Sequence, residues 1–302
     1  MVYCMLIEGE VYAMSQNEVP TADESKRGSF AQRSWTAVLL CAFLTAALYL
    51  GSWFFAVAAF IAITLTLYEE LRALRDGSHH PVCWTSYASL AMSVPLIMFY
   101  SSLAIIPTMA LLCFCVVLQV MRRETPDLID ILVSVLPMLT IVLPGMFLIG
   151  LLDTQPLVLQ KMLLITVFAV AIAGDTFAYL VGSTVGGPKL CPRISPKKTV
   201  SGAVGGLLGS MLAAVVVGRL CSLAAVDCAT YPSVWGDLAV GFFGGVASQV
   251  GDLFASMVKR HCGVKDFGTL FPGHGGMLDR MDSIYFSCII VYCYRAVLLT
   301  LA

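Results

Sequence analysis

From Trp35 to Tyr68 the chain carries no charged side chain, and from Pro81 to Met121 it again carries none. Each run is too long for one helical crossing of a hydrocarbon layer about 30 Å thick, and each is long enough for two. Leu50-Gly51-Ser52 can break the first run into a tight helical hairpin, and Ser101-Ser102 can turn the second. Later apolar stretches predict spans near residues 131–152, 162–182, 202–218, 234–251 and 283–301. The expected fold is an all-α, polytopic integral membrane protein with about nine transmembrane helices. Composition agrees: 59% of residues are hydrophobic and 12% charged, against about 45–50% and about 25% in a soluble domain. The first apolar run follows a polar tail and precedes many others, so it reads as a span rather than a cleaved leader.

The basic residues give an orientation. If the N-terminus is cytoplasmic and the spans alternate, all of the 18 Lys and Arg except Lys161, Arg219 and Arg295 fall on the cytoplasmic side. That asymmetry favours a cytoplasmic N-terminus, with loops 183–201 and 252–282 facing the cytoplasm. Residues 1–33 then form a cytoplasmic polar tail. Glu69, Glu70, Arg72, Arg75 and Asp76 read as a short wet loop between spans. Eleven Cys are scattered, mostly in apolar runs, with no C-x-x-C pair and no zinc spacing, so they read as reduced core residues.

Polar chemistry is concentrated in the window from Asp252 to Asp282. It holds four Asp, Lys259, Arg260, Lys265, Arg280 and a glycine-rich turn around His274. Asp279 and Asp282 are three apart and share a helix face. If Asp252 lies beside them, three hard oxygen donors converge, a set suited to Mg2+ shared with phosphate oxygens. Gly275 and Gly276 can present backbone N–H groups to an anion, and the Lys and Arg residues supply the charge that a polyphosphate needs. Solvated loop acids and a plain turn account for the same residues taken singly. Asp175 stands inside an apolar run, where an unpaired acid costs roughly 2.5–3.5 kcal/mol, so it should face a cavity, a cation or the protein interior. Lys197 and Lys198 lie in a proline-stiffened basic loop. Such a loop reads either as an anchor at the anionic leaflet or as a second wall of a phosphate site.

From Ser256 to Asp282 the chain resembles the signature of the phosphatidate cytidylyltransferases, also called CDP-diacylglycerol synthases. The matching positions are Ser256, Lys259, Arg260, Lys265, Asp266, Gly268, Phe271, Pro272, His274, Gly275, Gly276, Asp279, Arg280 and Asp282. Gly251-Asp252-Leu253, the set Asp175, Ala178, Tyr179 and Gly182, and Ile194 to Thr199 are similar to three further elements of that family. Ser201 and Ala255 depart from it, standing where the family often has an acid or amide and a Glu. The resemblance covers residues 170–282 well and the first half only by hydropathy.

The resemblance implies transfer of the cytidylyl group of CTP to phosphatidate, giving CDP-diacylglycerol and pyrophosphate. It assigns catalysis to Asp252, Lys259, Asp279 and Asp282, with the three acids as metal ligands for Mg2+ and a second, monovalent cation such as K+. Substrate contacts fall to Lys197, Lys198, Ser256, Arg260, Lys265, His274, Gly275, Gly276 and Arg280, with Asp175 shaping the cavity that admits the lipid head. Residues 34–160 would anchor the protein and form a homodimer, and residues 161–302 would carry catalysis. The expected partners are CTP, phosphatidate, the bilayer and a second copy of the chain, with no nucleic acid. The expected location is the inner membrane of a bacterium, the active site facing the cytoplasm. A CDP-alcohol phosphotransferase is disfavoured because its DGxxAR motif is absent. A transporter with an acidic ion path is the reading from another class, and no internal symmetry supports it.

Overall fold

The computed structural model describes residues 42, 45–76, 79–99, 104–224, 233–271 and 275–301. The expected tail over residues 1–33 lies outside them. Residues 45–50 are helical and end at Gly51, whose φ of +108° breaks the chain direction where the sequence predicts a turn. Nine labelled helices follow: α1 (Ser52–Asp76), α2 (Cys83–Phe99), α3 (Ile105–Met121), α4 (Leu128–Pro137), α5 (Leu143–Gly150), α6 (Leu157–Thr184), α7 (Val200–Ala224), α8 (Val234–His261) and α9 (Leu278–Leu301). Helices α4 and α5 are one interrupted span. Pro137 cannot donate to the helical ladder, and a π turn over Met138–Val142 joins the two pieces.

Among the described residues six helical segments are long and apolar enough to cross a membrane: Ser52–Asp76, Leu128–Asp153, Leu157–Thr184, Val200–Leu223, Val234–His261 and Leu278–Thr300. Helices α2 and α3, of 17 residues each, are apolar but shorter. The all-helical membrane architecture therefore holds, with one small addition. Loop 183–201 contains an antiparallel hairpin, β1 (Lys189–Cys191) and β2 (Ser195–Thr199), pairing Lys189 with Thr199 and Cys191 with Ser195.

One apolar cluster runs through both halves of the chain, from Phe55 and Leu67 on α1 through Met138 and Val167 to Tyr285 and Val291 on α9. Polar side chains stitch the helices inside it. Thr66 Oγ1 bonds Tyr285 Oη at 2.9 Å, and the Ser210 and Ser287 hydroxyls donate to the Val170 and Val167 carbonyls at 2.8 and 3.2 Å. In lipid, where apolar contact discriminates little, such bonds and close backbone approach hold helices together. The α6–α7 crossing is one such close approach. A Cβ at Gly202 would sit 2.7 Å from the Ala178 carbonyl oxygen.

The two ends of the bundle differ in chemistry. At one end Arg219 pairs with Asp237 at 2.8 Å, and Arg295 Nε donates to Thr154 Oγ1 at 2.7 Å. The antiparallel helix order puts the hairpin, the end of α8 and the start of α9 at the other end.

Candidate active site

The α6, α7 and α8 helices and the hairpin enclose an open cleft of about 340 Å³, lined by Asp175, Lys197, Lys198, Thr199, Gln249 and Asp252 among others. Thr199 closes the hairpin and begins α7: its hydroxyl accepts from Gly202 N at 3.1 Å, as a helix-capping side chain does. Ser201, one of the departures from the family pattern, has its own task here. Its hydroxyl donates to the Gly186 carbonyl and lies 3.1 Å from Thr199 Oγ1, so it ties the loop before the hairpin to the head of α7. Lys198 forms an ion pair with Asp252 across the cleft. Lys197 is exposed beside it. The basic loop is thus a wall of a cleft as well as a surface segment. Asp175 reaches the same cleft from mid-helix, and Ser283 Oγ donates to its Oδ2 at 3.4 Å.

The window read as a loop from 252 to 282 is helical at both ends. Helix α8 continues to His261 and α9 begins at Leu278, so the connecting loop spans only residues 262–277. The extension has a physical basis: Lys259, Arg260 and His261 fill the last turn of α8, where positive side chains favour the helix terminus. Within the loop Asp279 is the organiser. Its Oδ1 receives Lys259 Nζ at 2.8 Å, and its Oδ2 accepts from Phe267 N at 2.9 Å and Gly276 N at 2.8 Å. The ion pair is well buried, with side-chain exposures of 13% and 3%. Gly275 has φ +80°, and a Cβ there would meet the Asp279 carboxylate at 2.7 Å.

The three acids expected to share a metal are not gathered in one place. Among the described residues no group of three His, Cys, Asp or Glu is close enough to hold an ion. Asp279 is engaged by a lysine and two amides. Asp252 and Asp282 are near enough to each other, and to Asp175, for their charges to repel. Asp282 is buried and accepts from Ser283 N at 2.7 Å. Repelling carboxylates beside a cleft fit a divalent cation that takes one or two protein oxygens and completes its shell with phosphate and water. Asp252 and Asp282 suit that role, whereas Asp279 already holds the loop.

Arg260, Lys265 and Arg280 are exposed around the loop, and Ser256 is half-buried on α8 one turn beyond Asp252. His274 lies outside the described residues.

Two functional candidates were not legible as such. Glu69 and Glu70 belong to α1, not to a wet loop, and are 8% and 2% exposed. Glu69 Oε1 accepts from Met277 N at 3.0 Å and Oε2 from Leu278 N at 2.8 Å. Glu70 receives the Thr140 hydroxyl from the π turn at 3.5 Å, beside a small void shared with Asp282 and Ala255. Two acids directly after a 34-residue uncharged run were the available signal, but their ordinary reading is a solvated span end. A larger hollow of about 420 Å³ lies away from this chemistry, between Trp53, Phe60, Val94, Ile97 and Ile149, and has an apolar lining.

The cytidylyltransferase family model matches residues 31–298. This chain belongs to the cytidylyltransferase family. A phosphatidate cytidylyltransferase of Synechocystis sp. is 31% identical over 292 residues, covering 89% of this chain and 97% of the relative. A phosphatidate cytidylyltransferase of Brucella abortus is 40% identical over 134 residues, 44% of this chain. That match spans about half of the Brucella protein, 47% of its length. The chloroplastic phosphatidate cytidylyltransferase 4 of Arabidopsis thaliana is 35% identical over 132 residues, 42% of this chain and 30% of that protein. The family model extends the likeness through the first half of the chain, which the motifs alone left to hydropathy.

Proposed function

We propose that this protein transfers the cytidylyl group of CTP to phosphatidate. A phosphatidate oxygen attacks the α-phosphorus of CTP in line, the bond from that phosphorus to the bridging oxygen breaks, and pyrophosphate leaves with the electron pair. CDP-diacylglycerol remains. The observation that carries the reading is the charged cleft of about 340 Å³ at one end of an apolar bundle, adjoining the Lys259–Asp279 loop. A lipid head can reach such a cleft from the bilayer while a nucleotide enters from water.

The chain's residues have work to do at each stage. Lys197 and Lys198 attract phosphate, and Asp252 holds Lys198 at the cleft wall. Lys259, Arg260 and Arg280 neutralise the triphosphate, Ser256 and Lys265 add contacts, and His274 and Gly275 contact the leaving pyrophosphate while the Gly276 N–H stays with Asp279. Asp279 aims Lys259. Asp175 keeps the membrane-side wall polar. Asp252 and Asp282 would hold Mg2+, which supplies charge neutralisation on the phosphates; a monovalent cation such as K+ is the proposed second ion. Positioning and electrostatics account for the catalysis, since phosphoryl-type transfer needs little covalent help from protein.

The finer topology is part of this reading: nine passes, a cytoplasmic N-terminus, residues 34–160 anchoring a homodimer, and a bacterial inner membrane with the site facing cytoplasmic CTP. The distribution of basic residues supports it. The transporter reading gains nothing, because the charged groups of the cleft and loop gather at one end instead of tracing a path.

The test uses membranes containing this chain, radiolabelled CTP, phosphatidate and Mg2+, with label counted in the lipid phase. Label is expected in the wild type and absent with EDTA. A folded wild type that moves no label, across several phosphatidate species, would overturn the reading.

A further inference from the structure

We propose that Glu69, on α1 and outside the motif half of the chain, is a positioning residue that sets the shape of the glycine loop for transfer. The inference rests on the cytidylyl-transfer reading for its kinetic consequence and on geometry alone for its structural one.

Glu69 is 8% exposed, yet both its oxygens are engaged. They accept from the N–H groups of Met277 and Leu278, where α9 begins. Helix starts leave such donors without intrahelical partners, and a carboxylate there is also favoured by the helix dipole. The same carboxylate explains two glycines. A Cβ at Gly268 would sit 2.4 Å from Glu69 Oε1, and one at Gly276 would sit 2.4 Å from Oε2. The acid therefore lies wedged between the outgoing and returning arms of the loop. Asp279 grips the loop at Phe267 N and Gly276 N. Gly276 thus lies against both carboxylates, and Asp279 in turn holds Lys259. Displacing Glu69 frees the Met277 and Leu278 amides next to Gly276, which loosens the loop around Asp279, and Lys259 loses its fixed aim without any atom of Glu69 needing to touch substrate.

A purely structural acid and a positioning acid differ in what they move. Glu69→Gln keeps the shape but removes the charge and one acceptor. It should lower kcat/KM for CTP roughly tenfold or more, the scale of one buried bond left unmade, and Glu69→Asp should fall between it and wild type. A structural acid would lower the Tm of detergent-purified protein while leaving kcat and KM of the surviving fraction unchanged. The clash argument gives a sharper check. Gly268→Ala should cost roughly tenfold in the wild-type background and several-fold less in a Glu69→Ala background, where only the Gly276 Cα, 3.2 Å from the added Cβ, still crowds it. Hydrogen exchange of the peptide covering residues 267–281 supplies an activity-independent readout: Glu69→Gln should speed its exchange while peptides from α3 are unchanged. Wild-type kinetics in Glu69→Gln, or equal cost of Gly268→Ala in both backgrounds, would overturn the proposal. If the wild type itself transfers no label, the transfer reading fails instead. Exchange then decides alone, and unaltered exchange at 267–281 sinks the Glu69 inference too.

Discussion

Asp279 bonds to a lysine and to two amides on separate turns of one loop. Asp279→Asn should therefore do two things at once. It removes the charge that aims Lys259 and leaves that buried lysine unpaired, a change that typically costs about 3–5 kcal/mol. Incorporation of label from CTP should fall about a thousandfold, and Tm should drop in the same preparation. Lys198→Ala is expected to separate the two effects. Its pair with Asp252 is about 30% exposed and adds little stability, so Tm should hold while the KM for phosphatidate or CTP rises about ten- to a hundredfold. Cys262, just past α8, tests the burial of the loop. Burial, and then the nearby Glu70, push its thiol up from its usual range. A raised thiol pKa means less thiolate at neutral pH, so iodoacetamide should leave Cys262 unmodified at pH 7.5 and react only at distinctly alkaline pH. At this scale the motif acids and bases were readable because their spacing is fixed. Glu69 and Glu70 were not, since a charge ending an apolar run looks alike whether it meets water or a distant amide.

Helices were legible in approximate place, and least so at the ends that matter. The span ending near residue 251 continues for ten more residues as the last turns of α8. Polar residues there suggested a loop because hydropathy measures solvent preference, while a helix needs only backbone bonds and a tolerable terminus. The hairpin of residues 189–199 escaped reading for the opposite reason. Its strands are three and five residues long, too short for a period of two to register. The α6–α7 crossing offers a test of element packing. Gly202→Val would drive a side chain into the Ala178 carbonyl and part the two helices that wall the cleft. The expected outcome is loss of monodisperse protein in detergent, read by size-exclusion chromatography, rather than an inactive but well-folded enzyme.

Over the whole molecule, charge separates by face. Lys259, Lys198 and the exposed Arg260, Lys265 and Arg280 occupy one end, while Arg219 and Arg295 are tied to Asp237 and Thr154 at the other. Single cysteines placed at Lys265 and at Lys161 should accordingly react with an impermeant thiol reagent from opposite sides of the membrane, Lys265→Cys from the cytoplasm. Labelling of both from one side would refute the pass count between them. The overall architecture was legible because lipid imposes one rule on every span. The site was half legible because its remaining supports come from a helix that carries no motif. That origin bears on how the protein is made. Glu69 precedes the amides it binds by 208 and 209 residues, so α1 is synthesised long before its carboxylate can find them. Until the ribosome has delivered α9, the Glu69 carboxylate lacks both of its amide partners. The arrival of Met277 and Leu278 is then what gives the carboxylate its partners, so the loop cannot take its final shape before α9 has been made.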